Sequence, residues 1–357
     1  MTVAPDSVGQ VEALMRRMPK VELHVHLEGS MSADRLRAIA ARDGLDVDPA
    51  AYAPQLPERS FDAFLRAFMA RLRALRTPDD WALVLDDLLA AQAQENVAYT
   101  EAFATFTGAL RGDYVLRDVL RALADVEADW RRRRCAVRLV LDAPRELGPE
   151  VCSELVRLAA GDESGLLVGI GIGGDETVRP AAAFKPAYAL AAELGLHRTA
   201  HAGEHAGPSA VVAAVEILGA ERIGHGLSAA EDPAVLDLLV ERGVTVDVCP
   251  GSNRATGAWN PARGPHPLRS LVDAGVRIDV GSDDPAIFGT NVSGEWASLV
   301  LEGGLSPHRC LELTADAVRA TFLDSAAQTR LAAQVEADLV DLRDQALELE
   351  EQLAAPW

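Results

Sequence analysis

Short runs of apolar and β-branched residues recur along the chain, and longer segments with helical spacing separate them. Apolar runs of four to eight residues are typical of strands, whereas apolar positions that repeat every three or four residues are typical of helices. The pattern predicts strands near residues 21–26, 97–104, 135–142, 166–172, 197–201, 221–225, 244–249 and 276–281.

Helical patterns fill most of the intervals between these strands, at 115–131, 149–160, 180–195, 208–219, 232–243 and 266–274. Several open with proline and close with glycine, as Pro208 and Gly219 do, which is the usual asymmetry of helix ends. Eight strands alternating with helices predict a closed parallel (β/α)8 TIM barrel, of the α/β class. A doubly wound open sheet also alternates, but no GxGxxG follows the first strand.

Two segments depart from the alternation. Residues 31–95 have helical patterns around a proline-bearing loop, and we expect a helical insertion that lies over the strand ends as a lid. Residues 325–357 are rich in alanine and acidic residues, which predicts a C-terminal helical tail. The whole chain, residues 1–357, is then expected to be a single barrel domain.

Charge and composition exclude several classes of partner. The chain has 54 acidic residues against 34 lysines and arginines, a net charge of −20, so we expect no nucleic-acid partner. The first residues contain no secretory h-region, and no apolar run approaches the ~18 residues needed to span a bilayer. The cysteines form no CxxC pair. We therefore expect a cytoplasmic protein with reduced thiols and no membrane partner.

The first predicted strand contains the segment VELHVHLEGS, residues 21–30. His24 and His26 are two residues apart, and side chains at that spacing in a strand point the same way. Two imidazoles on one rigid strand suit a metal site. The alternative is two polar residues on the wet face of an edge strand.

Polar residues also follow five of the other predicted strands. In a barrel the carboxyl ends of all strands meet on one face, where active sites are built, so we expect these residues to form one site. The segments are GGDE at 173–176, HAGEH at 201–205, HG at 225–226, CPGSN at 249–253 and SDDP at 282–285.

Three histidines at the first and fifth predicted strands, together with a carboxylate after the eighth, make a nitrogen-and-oxygen site for a divalent metal such as zinc. Such a metal lowers the pKa of water from ~15.7 toward ~7. Glu204 is placed to donate a proton to a substrate without being a ligand. His225 could be a fourth ligand or a base that orients the water. Asp284 could contact substrate or water, or simply cap the next turn.

The motifs HVHLEGS, GGDE, HAGE, RIGHG, CPGSN and SDDPAIFGT occur in this order over residues 20–290. Together they resemble the adenosine deaminase family of the amidohydrolase superfamily. The resemblance implies a (β/α)8 barrel with one zinc ion, whose ligands would be His24, His26, His201 and Asp283.

The same resemblance implies roles for the neighbouring residues. Glu204 would protonate purine N1, and His225 would orient and deprotonate the water that adds to C6. Asp284 would hydrogen-bond the attacking oxygen and purine N7, and the amide of Gly174 would meet N3. The residues expected to contact the substrate are thus His26, Glu28, Gly174 and Asp284.

Two discriminators of the substrate conflict. Adenosine deaminases usually read HLDG, with an aspartate that contacts the ribose 5′-hydroxyl, whereas this chain has Glu28, which is commoner in adenine deaminases. Gly224 in RIGHG is nucleoside-like, since adenine deaminases usually read RIDHG. We expect zinc-dependent hydrolytic deamination of a 6-aminopurine nucleoside, adenosine or a modified adenosine, to the 6-oxo product and ammonia. Free adenine or an N6-substituted adenine is the alternative.

Two other functions fit the sequence less well. A catalytically inactive binding barrel would be expected to lose a ligand or the proton donor, and all are present. A metal-dependent phosphatase or esterase often needs a second metal with a bridging carboxylate or lysine, and no lysine follows the fourth strand. A purine small molecule is the one partner that we expect, and the sequence leaves a homo-oligomer open.

Overall fold

The computed structural model describes residues 5–53 and 60–354. Eight parallel strands form one sheet in the order β1 to β8, which confirms the predicted TIM barrel. The strands are β1 Lys20–His26, β2 Val97–Ala104, β3 Ala136–Pro144, β4 Leu167–Gly173, β5 His197–Ala202, β6 Arg222–His225, β7 Thr245–Val248 and β8 Arg277–Val280.

Helices follow the strands and cover the outside of the barrel. Within the described residues they are α1 Pro5–Arg17, α2 Ala33–Asp43, α3 Phe61–Ala74, α4 Pro78–Gln94, α5 Thr107–Arg111, α6 Leu116–Arg131, α7 Pro149–Ala159, α8 Lys185–Glu193, α9 Pro208–Glu216, α10 Pro233–Arg242, α11 Pro250–Thr256, α12 Leu268–Asp273, α13 Pro285–Phe288, α14 Val292–Leu301, α15 Pro307–Ala317 and α16 Ser325–Ala354.

The first and last strands meet where the metal ligands were predicted. The backbone N–H of His26 donates to the carbonyl of Asp283 at 2.7 Å, and the N–H of Asp283 donates to the carbonyl of His24 at 3.0 Å. The buried carboxylate of Glu22 accepts hydrogen bonds from the N–H and hydroxyl of Ser282, at 2.8 and 2.6 Å. Every residue of β1 is buried, so β1 has no wet face. Closing the barrel thus brings the two ligand-bearing segments together.

Three helices, α2 to α4, lie between β1 and β2, in the segment where an insertion is predicted. The buried guanidinium of Arg71 on α3 donates to the carbonyls of Met31 and Ala51, at 2.9 and 3.1 Å. Because these carbonyls lie outside α3, Arg71 fixes the helix against the chain that leaves β1. The lid function of this segment stays a prediction. That residues 1–357 form a single domain also stays a prediction.

Two expectations concern the chain as a whole. None of the described helices is both long enough and apolar enough to cross a membrane. The thiols of Cys135, Cys152, Cys249 and Cys310 are free and buried.

Candidate active site

Four predicted ligands converge at the carboxyl end of the barrel. Nε2 of His201 lies 3.1 Å from Nε2 of His24 and 3.2 Å from Nε2 of His26. Oδ1 of Asp283 lies 3.4 Å from Nε2 of both His24 and His26. One ligand atom from each of the four residues lies within 4.8 Å of the other three, and all four residues are buried.

The spacing of these atoms fits a metal ion. Zinc bonds of about 2.0–2.1 Å in a tetrahedral site place the ligand atoms roughly 3.3 Å apart. Burial lowers the pKa of His24 and of His26 well below the usual histidine value, so both imidazoles are neutral, which is the form that ligates. His24, His26, His201 and Asp283 could therefore hold a metal ion together, and we call these four residues the metal-binding site.

The backbone at this site is unusual. Asp283 has φ of 60° and His225 has φ of 66°, in the left-handed region that residues with a Cβ seldom adopt. His225 is the last residue of β6, and Asp283 follows β8 after Gly281 and Ser282. Such conformations concentrate at functional sites, where the surrounding fold compensates their cost.

Glu204 lies beside the metal-binding site. Its Oε2 is 3.7 Å from Nε2 of His225, and its Oε1 accepts a hydrogen bond from the Thr256 hydroxyl at 3.3 Å. Burial, together with the negative charges of Asp283 and Glu176, raises the pKa of Glu204 well above the usual glutamate value. A protonated carboxyl next to a metal site can act as a general acid at neutral pH.

The loop that carries Glu204 is held by Glu176 of the GGDE segment. The buried Glu176 carboxylate accepts hydrogen bonds from the backbone N–H groups of Gly203, Glu204 and His205, at 2.8, 2.8 and 3.0 Å. Three charge-assisted bonds to consecutive amides leave this loop little freedom. The role of Glu176 is thus to position the loop after β5.

His225 is buried at the end of β6, and burial lowers its pKa well below the usual value. A neutral imidazole can accept a proton from water. The amide nitrogen of Asn253 lies 2.9 Å from Nδ1 of His225, and the amide oxygen of Asn253 lies 3.4 Å from Nε2 of His266. Asn253 and His266 therefore hold the His225 ring in place.

Two glycines make room for this arrangement. Gly174 has φ of 84°, and a Cβ there would overlap the Glu146 carboxylate. A Cβ on Gly224 would lie 2.6 Å from Cε1 of His24. Gly224, one of the two substrate discriminators, therefore serves to seat a metal ligand against β6.

A cavity of about 310 Å³ opens above the metal-binding site. His26, His201, Glu204, His225 and Asp283 line one wall, and Gly174 also faces the cavity. The opposite wall is apolar and comes from α3, through Phe61, Phe64, Leu65, Phe68, Met69 and Leu72. The rest of the lining consists of Thr107, Arg111, Asp142, Pro144, Glu146 and Leu147.

Glu28 and Asp284, both expected to contact the substrate, are fully buried and do not line this cavity. Oε1 of Glu28 accepts a hydrogen bond from the backbone N–H of Thr105 at 2.6 Å, and burial raises the pKa of Glu28 to about 8. The side chain of Asp284 begins α13 without capping it, so the capping alternative does not apply. Their contacts with a substrate stay predictions.

The remaining histidines lie apart from the metal ligands. His197 begins β5 at the opposite end of the barrel, with Nδ1 2.8 Å from Oε2 of Glu221. Nε2 of His205 lies 3.5 Å from Oε1 of Glu204, at the rim. His308 on α15 is 3.7 Å from Glu312 in a partly exposed pair.

Sequence reasoning missed two parts of the cavity. Asp142 is buried near the end of β3 and lines the cavity, and the rule that singled out the other strand ends would have found it. The second part is the aromatic stripe Phe61, Phe64 and Phe68, which has ordinary helical spacing and looks like core in the sequence. Only the packing of α3 over the barrel shows that it faces a cavity.

Comparison with known proteins assigns the family. The family model described as adenosine deaminase matches residues 19–338. The chain belongs to the adenosine deaminase family. This match confirms the family that the sequence motifs indicated. The protein is an aminohydrolase that acts on a purine C–N bond.

Among its relatives is the aminodeoxyfutalosine deaminase of Streptomyces coelicolor, 35% identical over 94% of this chain and 88% of that protein. The adenine deaminase of the same organism is 34% identical over 91% of this chain and 97% of the relative.

Solved structures of the family agree with the fold. An amidohydrolase from Burkholderia ambifaria with bound zinc is 26% identical, with a TM-score of 0.88 over 98% of this chain and 96% of that one. The adenine deaminase of Arthrobacter aurescens is 28% identical, with a TM-score of 0.81 over 90% of this chain and 98% of that one.

Proposed function

We propose that this adenosine deaminase family member catalyses the zinc-dependent hydrolytic deamination of a 6-aminopurine nucleoside, adenosine or a modified adenosine. The products are the 6-oxopurine nucleoside and ammonia. The observation that carries the proposal is the buried carboxyl of Glu204, whose pKa burial raises, beside a three-histidine, one-aspartate site that lines the cavity. Hydrolytic deamination needs both a proton for the ring and an activated water.

Zinc is proposed as the metal, with one ion held by His24, His26, His201 and Asp283. Support comes from the spacing of the four ligand atoms and from the zinc bound in the Burkholderia ambifaria amidohydrolase. When bound, zinc supplies an activated water by lowering its pKa. The same four side chains offer three nitrogens and one oxygen, a donor set that zinc accepts readily.

The chain's own residues then move the protons. Glu204 donates its proton to purine N1, which makes C6 more electrophilic. His225 takes a proton from the attacking water, and the low pKa of its imidazole keeps it neutral beforehand. Asp284 is proposed to hydrogen-bond the water oxygen and purine N7, and the N–H of Gly174 to meet N3. His26 and Glu28 complete the proposed contacts.

The extent of the cavity favours a purine with a substituent over a bare base. Beyond the residues assigned to the purine, the lining continues through Thr107, Arg111, Asp142 and Glu146. These hydroxyl, guanidinium and carboxyl groups suit hydrogen bonds to a sugar-like substituent, whereas free adenine has no group to reach them.

Deamination of free adenine or an N6-substituted adenine is the second candidate. Two observations favour it: the 34% identity to the Streptomyces coelicolor adenine deaminase and the glutamate at position 28. Because Glu28 is buried and hydrogen-bonded to Thr105, we propose that it affects ribose binding indirectly, through the position of the residues that line the cavity.

An ultraviolet deamination assay on protein of measured zinc content tests the proposal. The panel is adenosine, deoxyadenosine, 5′-modified adenosines, adenine and N6-methyladenine. We expect nucleosides to have the highest kcat/KM, loss of activity on chelation, and recovery with zinc. Adenine as the best substrate would replace the proposal with the second candidate. No turnover on any member of the panel by the zinc-loaded protein would overturn both.

A further inference from the structure

Asp247 lies behind the metal-binding site, on the side away from the cavity. It sits on β7 with its side chain fully buried inside the barrel. Its Oδ2 is 4.0 Å from Nδ1 of His24 and 3.3 Å from Nε of Arg222. The carboxylate thus lies between a metal ligand and a buried cation.

The facing atoms share one property: they have no hydrogen-bond partner among the described residues. This holds for Nδ1 of His24 and for both carboxylate oxygens of Asp247, although Oδ2 of Asp247 also lies in an ion pair with Nε of Arg222. Buried polar atoms without partners are rare and costly in proteins. The imidazole of His24 and the carboxylate of Asp247 can therefore serve as donor and acceptor for each other.

His201 shows what such a partner does. Its Nε2 faces the metal-binding site, and its Nδ1 is 3.0 Å from the carbonyl of Ile172. A carbonyl accepts only from a protonated Nδ1, so this contact leaves Nε2 free to ligate. His24 has no carbonyl within hydrogen-bonding distance of Nδ1 among the described residues, and Asp247 is the carboxylate that faces that atom.

Arg222 explains why a carboxylate can be kept there. Its guanidinium is buried, and it donates to Oε2 of Glu101 at 2.5 Å and to the Ala320 carbonyl at 3.0 Å. Its positive charge offsets the cost of burying Asp247 alongside Glu101. The cluster of Glu101, Arg222 and Asp247 therefore places a carboxyl group behind His24.

We propose that Asp247 is a positioning residue for the metal: its carboxylate accepts the Nδ1–H of His24 when Nε2 of His24 binds zinc. This contact fixes the tautomer and the ring orientation and makes Nε2 a stronger donor. The inference rests on the zinc site of the proposed function, but it does not depend on which purine is deaminated.

The test compares two nearly isosteric substitutions, Asp247→Asn and Asp279→Asn. Asp279 is a matched control because it pairs with Asp247 in the strand register, is equally buried and is also a carboxylate near Arg222. Its Oδ2, however, accepts the backbone N–H of Leu23 at 2.9 Å. Zinc affinity is measured by competition with a chromophoric chelator, and folding by thermal unfolding of each protein.

We expect Asp247→Asn to bind zinc about 10- to 100-fold more weakly and Asp279→Asn to bind it within about threefold of wild type, a shift of less than 1 kcal/mol. Unchanged zinc affinity in a folded Asp247→Asn protein, or an equal loss in both variants, would overturn the proposal. Failure of the deaminase assignment would appear in the substrate panel and leave these affinities as they are.

A second measurement covers the case in which Asp247→Asn does not fold. In zinc-loaded wild-type protein labelled with ¹⁵N-histidine, we expect Nδ1 of His24 to carry a hydrogen that exchanges slowly with D₂O. An unprotonated Nδ1 on His24 would overturn the proposal without any substitution.

Discussion

Two histidines on β5, four residues apart, have opposite surroundings. His201 lies near the carboxyl end, buried, with its Nε2 within 3.2 Å of two other imidazole nitrogens. His197 begins the strand, its side chain is 41% exposed, and it pairs with Glu221 and stacks on Phe322 with a ring separation of 4.4 Å. The two histidines lie on the same strand and differ in which end of it they occupy. In a barrel, therefore, position along the strand decides whether a histidine serves chemistry or stability.

The largest expected effect is that of His201→Ala. Removing one of the four ligands should release the metal and lower kcat/KM by about 10³-fold or more, since several kcal/mol of stabilisation goes with the metal. Elemental analysis of the purified variant and the ultraviolet assay measure the two losses together. His24→Ala should behave in the same way. An active variant without zinc would contradict the ligand assignment.

Glu204→Gln compares two functions at the carboxyl end of the barrel, because it separates proton donation from metal binding. The amide keeps the shape of the side chain but cannot supply the proton, so kcat/KM should fall by about 10²- to 10⁴-fold. Zinc content should stay at the wild-type level because Glu204 is not a ligand. A near-normal rate would remove Glu204 as the proton donor.

Phe64→Ala tests the apolar wall from α3, which faces the metal-binding wall. Phe64 lines the cavity and stacks on Phe288, with ring centroids 5.3 Å apart. Its loss should raise KM about tenfold and change kcat little, because it removes contact made equally in the ground and transition states. The control is Leu83→Ala, an apolar residue on the exposed side of α4. A fall in kcat as large as that of Glu204→Gln would show that α3 does more than bind.

The smallest effect is expected from His197→Ala, the counterpart of His201→Ala on the same strand. A partly exposed pair with Glu221 contributes about 1 kcal/mol or less, so the free energy of unfolding should change only slightly. Zinc content and kcat/KM should match wild type. Loss of zinc in this variant would show that the two ends of β5 are not independent.

The sequence predicted most of the fold, because strand and helix patterns are local and eight of them specify a barrel. It also predicted that the four candidate metal ligands lie close together, since a barrel requires its strand ends to meet. It did not predict that Glu28 is bonded to Thr105 under the cavity wall, or that Asp142 reaches the cavity. Whether a side chain at a strand end reaches the cavity depends on the strand register and on the segments that pack beside it. A single sequence does not specify either of these.

What the sequence by itself determined is the order of the strands and the residue types at their ends, and with them the metal-binding site and the family. What only the tertiary structure decided is how each side chain is partnered. The apolar stripe of α3 became a cavity wall because that helix packs over the barrel mouth. Asp247 came to face His24 because closure of the barrel brings β7 near β1. His24 and Asp247 are more than 200 positions apart in the sequence, and only the packed chain defines such a contact.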